Sequence, residues 1–243
     1  MNIKEILEVT GGELINGDET LIIEDFSKDT RTIKQGDLYV GIKGEKFDGN
    51  EYYKIAYENG AIATILDSKT LDEEELKKYS NVILVEDSIK ALQDLAKHKR
   101  EKYDIPVIAV TGSVGKTSTK DMIASVLSRK YNVLKTQGNN NNHIGLPLTI
   151  LKLKDHNALV VEMGMNHLGE ISVLTNIAKP TMCVITNVGT SHIGNLGSRE
   201  NILKAKLEIL EGLKEGGEVI INNDNDLLYN WAKENKDNYN VKT

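Results

Sequence analysis

The chain has one cysteine, Cys183, so an intrachain disulfide and a cysteine-built zinc site are both excluded. Cys183 sits in the apolar run Met182-Cys183-Val184-Ile185 and reads as a small buried hydrophobe. The first residues, Met1-Asn2-Ile3-Lys4-Glu5, contain no apolar signal region. No stretch approaches the ~20 apolar residues of a membrane span. Basic residues are not in excess: 30 Lys and Arg face 36 Asp and Glu, for a net charge of −6. That balance favours neither nucleic acid nor an anionic membrane as a partner. An anion must then be bound locally, by a loop or a helix end. There is no internal repeat and no low-complexity tract. A cytoplasmic location without membrane insertion is expected.

The 243 residues allow one large domain or two small ones. With 40% hydrophobic and 27% charged residues of mixed sign, the chain can build a core. Residues 1–86 read as short strands and helices. Strands are expected at 21–23, 37–42, 61–66 and 82–85, with a helix at 53–59 and a charged helix or loop at 72–78. A helix follows from Asp87-Ser88 to Arg100, and 87–105 reads as a connector. A second pattern fills 106–243. Apolar strands at 107–110, 158–161, 183–186 and 218–221 alternate with helices at 117–130, 169–178 and 199–213. Strands that are apolar on both faces and alternate with helices imply a parallel sheet with right-handed crossovers. Residues 233–243 read as a polar tail.

The segment Thr111-Gly112-Ser113-Val114-Gly115-Lys116-Thr117-Ser118 joins a buried strand to a helix. Glycines there let several backbone N–H groups converge on phosphate oxygens, and the helix start adds about half a positive charge. Lys116 is expected to reach the outer phosphates and the Thr117 hydroxyl to ligate Mg²⁺. The usual glycine six residues before the lysine is missing, because Val110 stands there. The loop therefore differs from that of ordinary GTPases and ABC-type ATPases.

Glu162 ends an apolar strand at the sheet edge where ligands bind, as a candidate Mg²⁺ ligand. His192, in Thr186-Asn187-Val188-Gly189-Thr190-Ser191-His192, follows the next strand to the same edge. Lys206, in the helical run Lys204-Ala205-Lys206-Leu207-Glu208, reads from its surroundings alone as a solvated lysine. The run Gly138-Asn139-Asn140-Asn141-Asn142-His143-Ile144-Gly145 is too polar for a core; it is either a polar turn or a binding loop. In the first region, Asp29-Thr30-Arg31 offers a guanidinium for a phosphate or carboxylate, or else a surface ion pair. Gly44-Glu45-Lys46-Phe47-Asp48-Gly49-Asn50 stands beside it as a second cluster.

Taken together, these segments resemble the Mur ligases, above all the type that adds D-alanyl-D-alanine to UDP-N-acetylmuramoyl-tripeptide. The phosphate loop is similar, including its missing glycine. So are the asparagine run through Leu146-Pro147-Leu148-Thr149, Glu162-Met163-Gly164-Met165-Asn166 with Gly169-Glu170-Ile171, and Ala205-Lys206-Leu207-Glu208-Ile209. The resemblance covers essentially the whole chain. It implies a small α/β UDP-substrate-binding N-terminal domain followed by a central parallel-sheet domain of the P-loop ATPase type. ATP and Mg²⁺ are implied as cofactors. Gly112, Ser113, Val114, Gly115, Lys116, Thr117 and Ser118 are implied for the nucleotide. Thr30, Arg31, Asp48, Gly49, Asn139 and Asn142 are implied for the substrate, and Lys116, Glu162, His192 and Lys206 for catalysis. Thr117 and Glu162 would hold one magnesium. His192 and Lys206, the latter carbamylated by CO₂, would hold a second. Asn50 stands where relatives often carry histidine.

The implied reaction is ATP-dependent amide-bond formation through an acyl phosphate, by a monomer. The family has a third domain, and the central domain is expected to be incomplete at Thr243, with little ligase activity in these residues alone. Three other readings stay open: the Mur ligase that adds the third peptide residue, an unrelated P-loop ATPase or kinase, and a binding module without ligation.

Overall fold

Asn2 starts the first helix, α1 (Ile3–Thr10), by accepting the Glu5 amide on its side chain. Gly11 stops it in the left-handed conformation at φ 65°. In the computed structural model, which describes residues 1–67 and 71–243, α1 opens the first of two units, Met1–His98. The unit continues with β1 (Glu13–Asn16), β2 (Phe26–Ser27), β3 (Leu38–Val40), α2 (Tyr53–Glu58), β4 (Ala63–Leu66), α3 (Glu73–Leu76) and β5 (Val82–Leu84). Its sheet runs β1-β5-β4-β3-β2. All pairs are parallel except β1 with β5. The expected strand at 21–23 is reduced to one bridge, Asn2 with Ile22. Its partner segment explains this: Ile23 donates to the Met1 carbonyl and Ile3 to that of Leu21, and the partner then turns into α1. Elements α1, β1 and β2 are not among those expected from the sequence, being short and without a long apolar run.

Helix α4 (Ser88–Glu101) follows, and the division between the two units falls within it, after His98. The second unit, Lys99–Thr243, contains β6 (Val107–Thr111), α5 (Lys116–Leu127), β7 (Val133–Lys135), α6 (Gly145–Leu151), β8 (Ala158–Glu162), α7 (Glu170–Ala178) and β9 (Met182–Ile185). Then come α8 (Ile193–Leu196), α9 (Arg199–Leu207), β10 (Glu218–Ile221), α10 (Asp226–Asn235) and β11 (Asn240–Lys242). The strand order is β11-β10-β9-β6-β8-β7, and every pair is parallel. All five residues of β6 and of β8 are buried, as their apolar runs require in a sheet covered on both faces. The α/β class and the parallel sheet expected from the sequence are what the structure shows.

Two expectations for this unit need correction. The helix expected over 199–213 ends as α9 at Leu207 and tightens into a 3₁₀ turn, Glu208–Gly212. There the chain is pressed onto α7: a Cβ on Gly212 would lie 2.2 Å from the Thr175 carbonyl oxygen, and the Thr175 hydroxyl donates to Ile209 O at 2.7 Å. Residues 233–243 are not a tail. Helix α10 runs to Asn235, Trp231 packs on Tyr239 at 5.7 Å, and β11 adds an edge strand with Val241 beside Val219.

Arg100 ties the end of α7 in place. The residue is 2% exposed. Its Nε donates to Ala178 O at 2.8 Å, Nη2 to Lys179 O at 3.3 Å and Nη1 to Tyr103 O at 2.5 Å. These carbonyls include the helix-end acceptors that have no partner within the helix. Arg100→Met should lower unfolding free energy by about 3 kcal/mol, since buried carbonyls lose their donors. Urea denaturation measures this, and a loss below about 0.5 kcal/mol would count against that role.

Candidate phosphate-binding site

Strand β6 lies at the point where the sheet order reverses. The chain leaves β6 toward β7 and leaves β9 toward β10, so a crevice opens between the two strand ends. The loop after β6 lies in that crevice. Gly112 has φ 152°, and a Cβ there would sit 1.9 Å from Thr186 Oγ1, so only glycine fits. Gly115, at φ 81°, starts α5 without any side-chain cap. The amides of Gly115, Lys116, Thr117 and Ser118 have no protein acceptor among the described residues. Gly115, Thr117 and Ser118 are exposed. This open helix start is a ready anion site. The Lys116 ammonium folds over the loop and donates to Gly112 O at 2.9 Å. The amides of Ser113 and Val114 point elsewhere, both to Asn187 Oδ1 at 3.0 Å.

Glu162 ends β8 beside Val110 of β6 and is 2% exposed. Its Oε2 accepts from the Thr117 hydroxyl at 2.8 Å and its Oε1 from Asn141 Nδ2 at 2.9 Å. Its own amide donates to Thr136 Oγ1 at 3.0 Å, while the Thr136 carbonyl receives the buried Lys120 ammonium at 2.9 Å. Among the described residues no cation touches the carboxylate directly; neutral donors hold it. A buried carboxylate paired with a hydroxyl oxygen is a hard-oxygen donor set suited to Mg²⁺, which takes its remaining ligands from phosphate and water. No group of three or more His, Cys, Asp or Glu side chains gathers as a metal cluster among the described residues.

Asn139 and Asn142 are the residues of the asparagine run expected at the substrate; Asn141 is not among them. Asn142 Oδ1 accepts the amides of Ile144 and Gly145 in the turn that leads into α6, while Asn139 is exposed. Asn141 is the one that reaches Glu162. Gly164 could have signalled it, because a Cβ there would lie 3.0 Å from the Asn141 side chain.

Lys206 is 2% exposed, against its reading as a solvated lysine. Burial pushes its ammonium down to about 7, and the charge of Lys116 adds to the push. His192 takes φ 64° just before α8, with its side chain exposed.

In the first unit, Thr30 and Arg31 lie in a single 3₁₀ turn begun by Asp29. The Arg31 guanidinium closes on the Asp29 carboxylate at 2.9 and 2.6 Å and holds that carboxyl down at about 2. Asp48 Oδ1 accepts both the amide and the side chain of Asn50. Gly49 is packed on Ile42, where a Cβ would meet the carbonyl at 2.4 Å. Asn50 is fully buried and turned inward to Asp67 at 2.6 Å.

Residues 110–243, more than half of the chain, match the family model described as Mur ligase middle domain. The chain belongs to the Mur ligase family. A second model, described as Mur ligase family, catalytic domain, matches residues 25–100. The chain is 46% identical over 230 residues to the UDP-N-acetylmuramoyl-tripeptide--D-alanyl-D-alanine ligase of Bacillus subtilis, covering 94% of this chain and 50% of that protein. A crystal structure of MurF from Acinetobacter baumannii superposes with a TM-score of 0.88 at 32% identity, over 99% of this chain and 52% of that one. MurF ligase from Thermotoga maritima in complex with ADP does so with a TM-score of 0.80 at 36% identity, over 92% and 51%. The chain thus spans about half the length of the Mur ligases it matches. Membership in this family removes the reading as an unrelated P-loop ATPase or kinase.

Lys206 makes the stability of this Mur ligase chain pH-dependent. Its ammonium titrates at about 7 when folded and near the ordinary 10.5 when unfolded. Between those values the unfolded state binds more protons, so this residue's contribution to stability rises with pH across the window. In CO₂-free buffer, Lys206→Met should stabilise the chain at pH 7 by at least about 1.4 kcal/mol, and the gain should fade toward pH 10. Denaturant titrations at both pH values measure it. A gain independent of pH would contradict the burial of a chargeable amine.

Proposed function

We propose that a protein carrying this chain joins D-alanyl-D-alanine to UDP-N-acetylmuramoyl-tripeptide with consumption of ATP, in peptidoglycan precursor synthesis. The observation that carries this reading is the 46% identity to a ligase of that name over 94% of the chain. It is supported by the open helix start at Gly115–Ser118 and the Thr117–Glu162 pair.

In this reading the first unit takes the UDP-linked peptide, with Thr30, Arg31, Asp48 and Gly49 in its binding segments. Asn139 and Asn142 belong to the substrate loop of the second unit. The phosphates of ATP rest on the amides at the start of α5, in keeping with a Thermotoga relative that is in complex with ADP. A carboxylate is a poor electrophile toward an amine. Its oxygen therefore attacks the γ-phosphorus, ADP leaves, and an acyl phosphate forms. The amine of D-alanyl-D-alanine then attacks the carbonyl carbon, loses a proton and expels inorganic phosphate. Lys116 offsets charge on the transferred phosphoryl group.

Thr117 and Glu162 would hold Mg²⁺, which supplies charge neutralisation at the phosphates. His192 and carbamylated Lys206 would hold a second ion. The Lys206 site suits carbamylation physically: an amine titrating at about 7 is about half unprotonated at neutral pH and so available as a nucleophile, and its conversion to an anion places a negative charge beside Lys116. We place the protein in the cytoplasm. No helix among the described residues is long and apolar enough to cross a membrane.

The test is phosphate release by the protein as encoded, supplied with ATP, Mg²⁺, UDP-N-acetylmuramoyl-tripeptide and D-alanyl-D-alanine. Release should require both substrates and match the amide formed. Lys116→Ala should lower kcat by about 10³-fold or more. Release that ignores either substrate, or survives Lys116→Ala, would overturn the reading.

A further inference from the structure

We propose that Asn187 is a positioning residue that divides the phosphate loop into a clamped half and a binding half. This rests on the reading that nucleotide phosphate lies on the start of α5. Asn187 Oδ1 accepts from the amides of both Ser113 and Val114 at 3.0 Å, and its backbone carbonyl accepts from Ser113 again at 3.1 Å. Around it, the Thr186 hydroxyl donates to Val114 O at 2.6 Å and the Ser191 hydroxyl to Ser113 O at 3.2 Å. The Gly189 amide donates to Ser113 Oγ at 2.9 Å. Every one of these bonds joins the loop after β6 to the segment after β9, across the sheet's switch point. Gly112 permits the approach, since any side chain there would strike Thr186.

The consequence is a partition of donors. A loop that curls around an anion has several N–H groups free to turn toward it, and each orientation that must be selected on binding weakens the complex. Here the first two amides after Gly112 are already committed to a protein oxygen, and the free amides begin at Gly115. Asn187 thereby fixes where the phosphates lie before they arrive. The residue type matters as well. An amide oxygen accepts two N–H groups without charge, whereas a carboxylate would accept them equally well and set a negative charge beside the incoming phosphates.

The experiment is a titration of ¹⁵N-labelled full chain with magnesium ADP, together with amide exchange and affinity for Asn187→Ala and Asn187→Asp. In the wild type, the Gly115, Lys116, Thr117 and Ser118 resonances should move on nucleotide addition, while Ser113 and Val114 stay protected and nearly unmoved. Asn187→Ala should expose the Ser113 and Val114 amides at least tenfold to exchange and weaken ADP at least fivefold. Asn187→Asp should keep those amides protected yet lose affinity, and the loss should shrink as salt is raised. Ser113 and Val114 moving as far as Gly115 on nucleotide addition, or Asn187→Ala binding like wild type, would overturn the proposal. A wild-type chain that takes up no ADP would instead overturn the ligase reading, and the exchange rates of Ser113 and Val114 in Asn187→Ala would still decide whether Asn187 holds the loop.

Discussion

The site depends on one close approach, that of Gly112 to Thr186, where there is no room for a Cβ. It draws the ends of two neighbouring parallel strands together and sets the course of everything after them. With Gly112 at φ 152° and Gly115 at φ 81°, the chain turns twice and enters α5 with its first amides uncapped. An acidic chain with a net charge of −6 thereby presents uncapped helix-start amides, the local geometry that favours an anion where overall charge does not. The missing glycine at position 110 fits this picture. Val110 is fully buried in β6, paired with Glu162 on one side and Val184 on the other, and the turning starts only two residues later.

Three buried charges around this loop are treated in three ways. Lys120 is placed on a backbone carbonyl and near Asp121 at 3.3 Å, so it is satisfied structurally. Glu162 is gripped by a hydroxyl and an amide, which orient it without neutralising it. Lys206 has a second cation, Lys116, nearby, and burial forces its charge toward loss. A protein built only for stability would remove the last two, because desolvated charge is costly without a partner. Both are nevertheless retained next to residues of the open helix start, Glu162 on the Thr117 hydroxyl and Lys206 near the Lys116 charge.

Much of the architecture was legible because its signals are strong. The apolar runs at 107–110 and 158–161 are buried strands, and the glycine-bounded loop lies between a strand and a helix as its composition required. Elements that depend on partners were not legible. Strand β11 is polar and exists because β10 offers it an edge; the segment at 21–23 is apolar yet has no second partner among the described residues. In the site, residue type pointed to Thr117 and Glu162, which meet at 2.8 Å. It could not separate four consecutive asparagines, since only the fold decides that Asn141 faces Glu162 and Asn142 lies in the turn that leads into α6. Lys206 is the sharpest case. Its neighbours in sequence are those of an exposed helix, and only packing buries it.

Whether the uncapped start of α5, with Lys116, Thr117 and Glu162, takes magnesium nucleotide by its phosphates is decided by isothermal titration of ADP into the chain, with and without Mg²⁺. A single site whose affinity falls at least tenfold on chelation, and falls again in Glu162→Gln, is the predicted result. Absence of binding, or binding indifferent to both magnesium and Glu162, would contradict it.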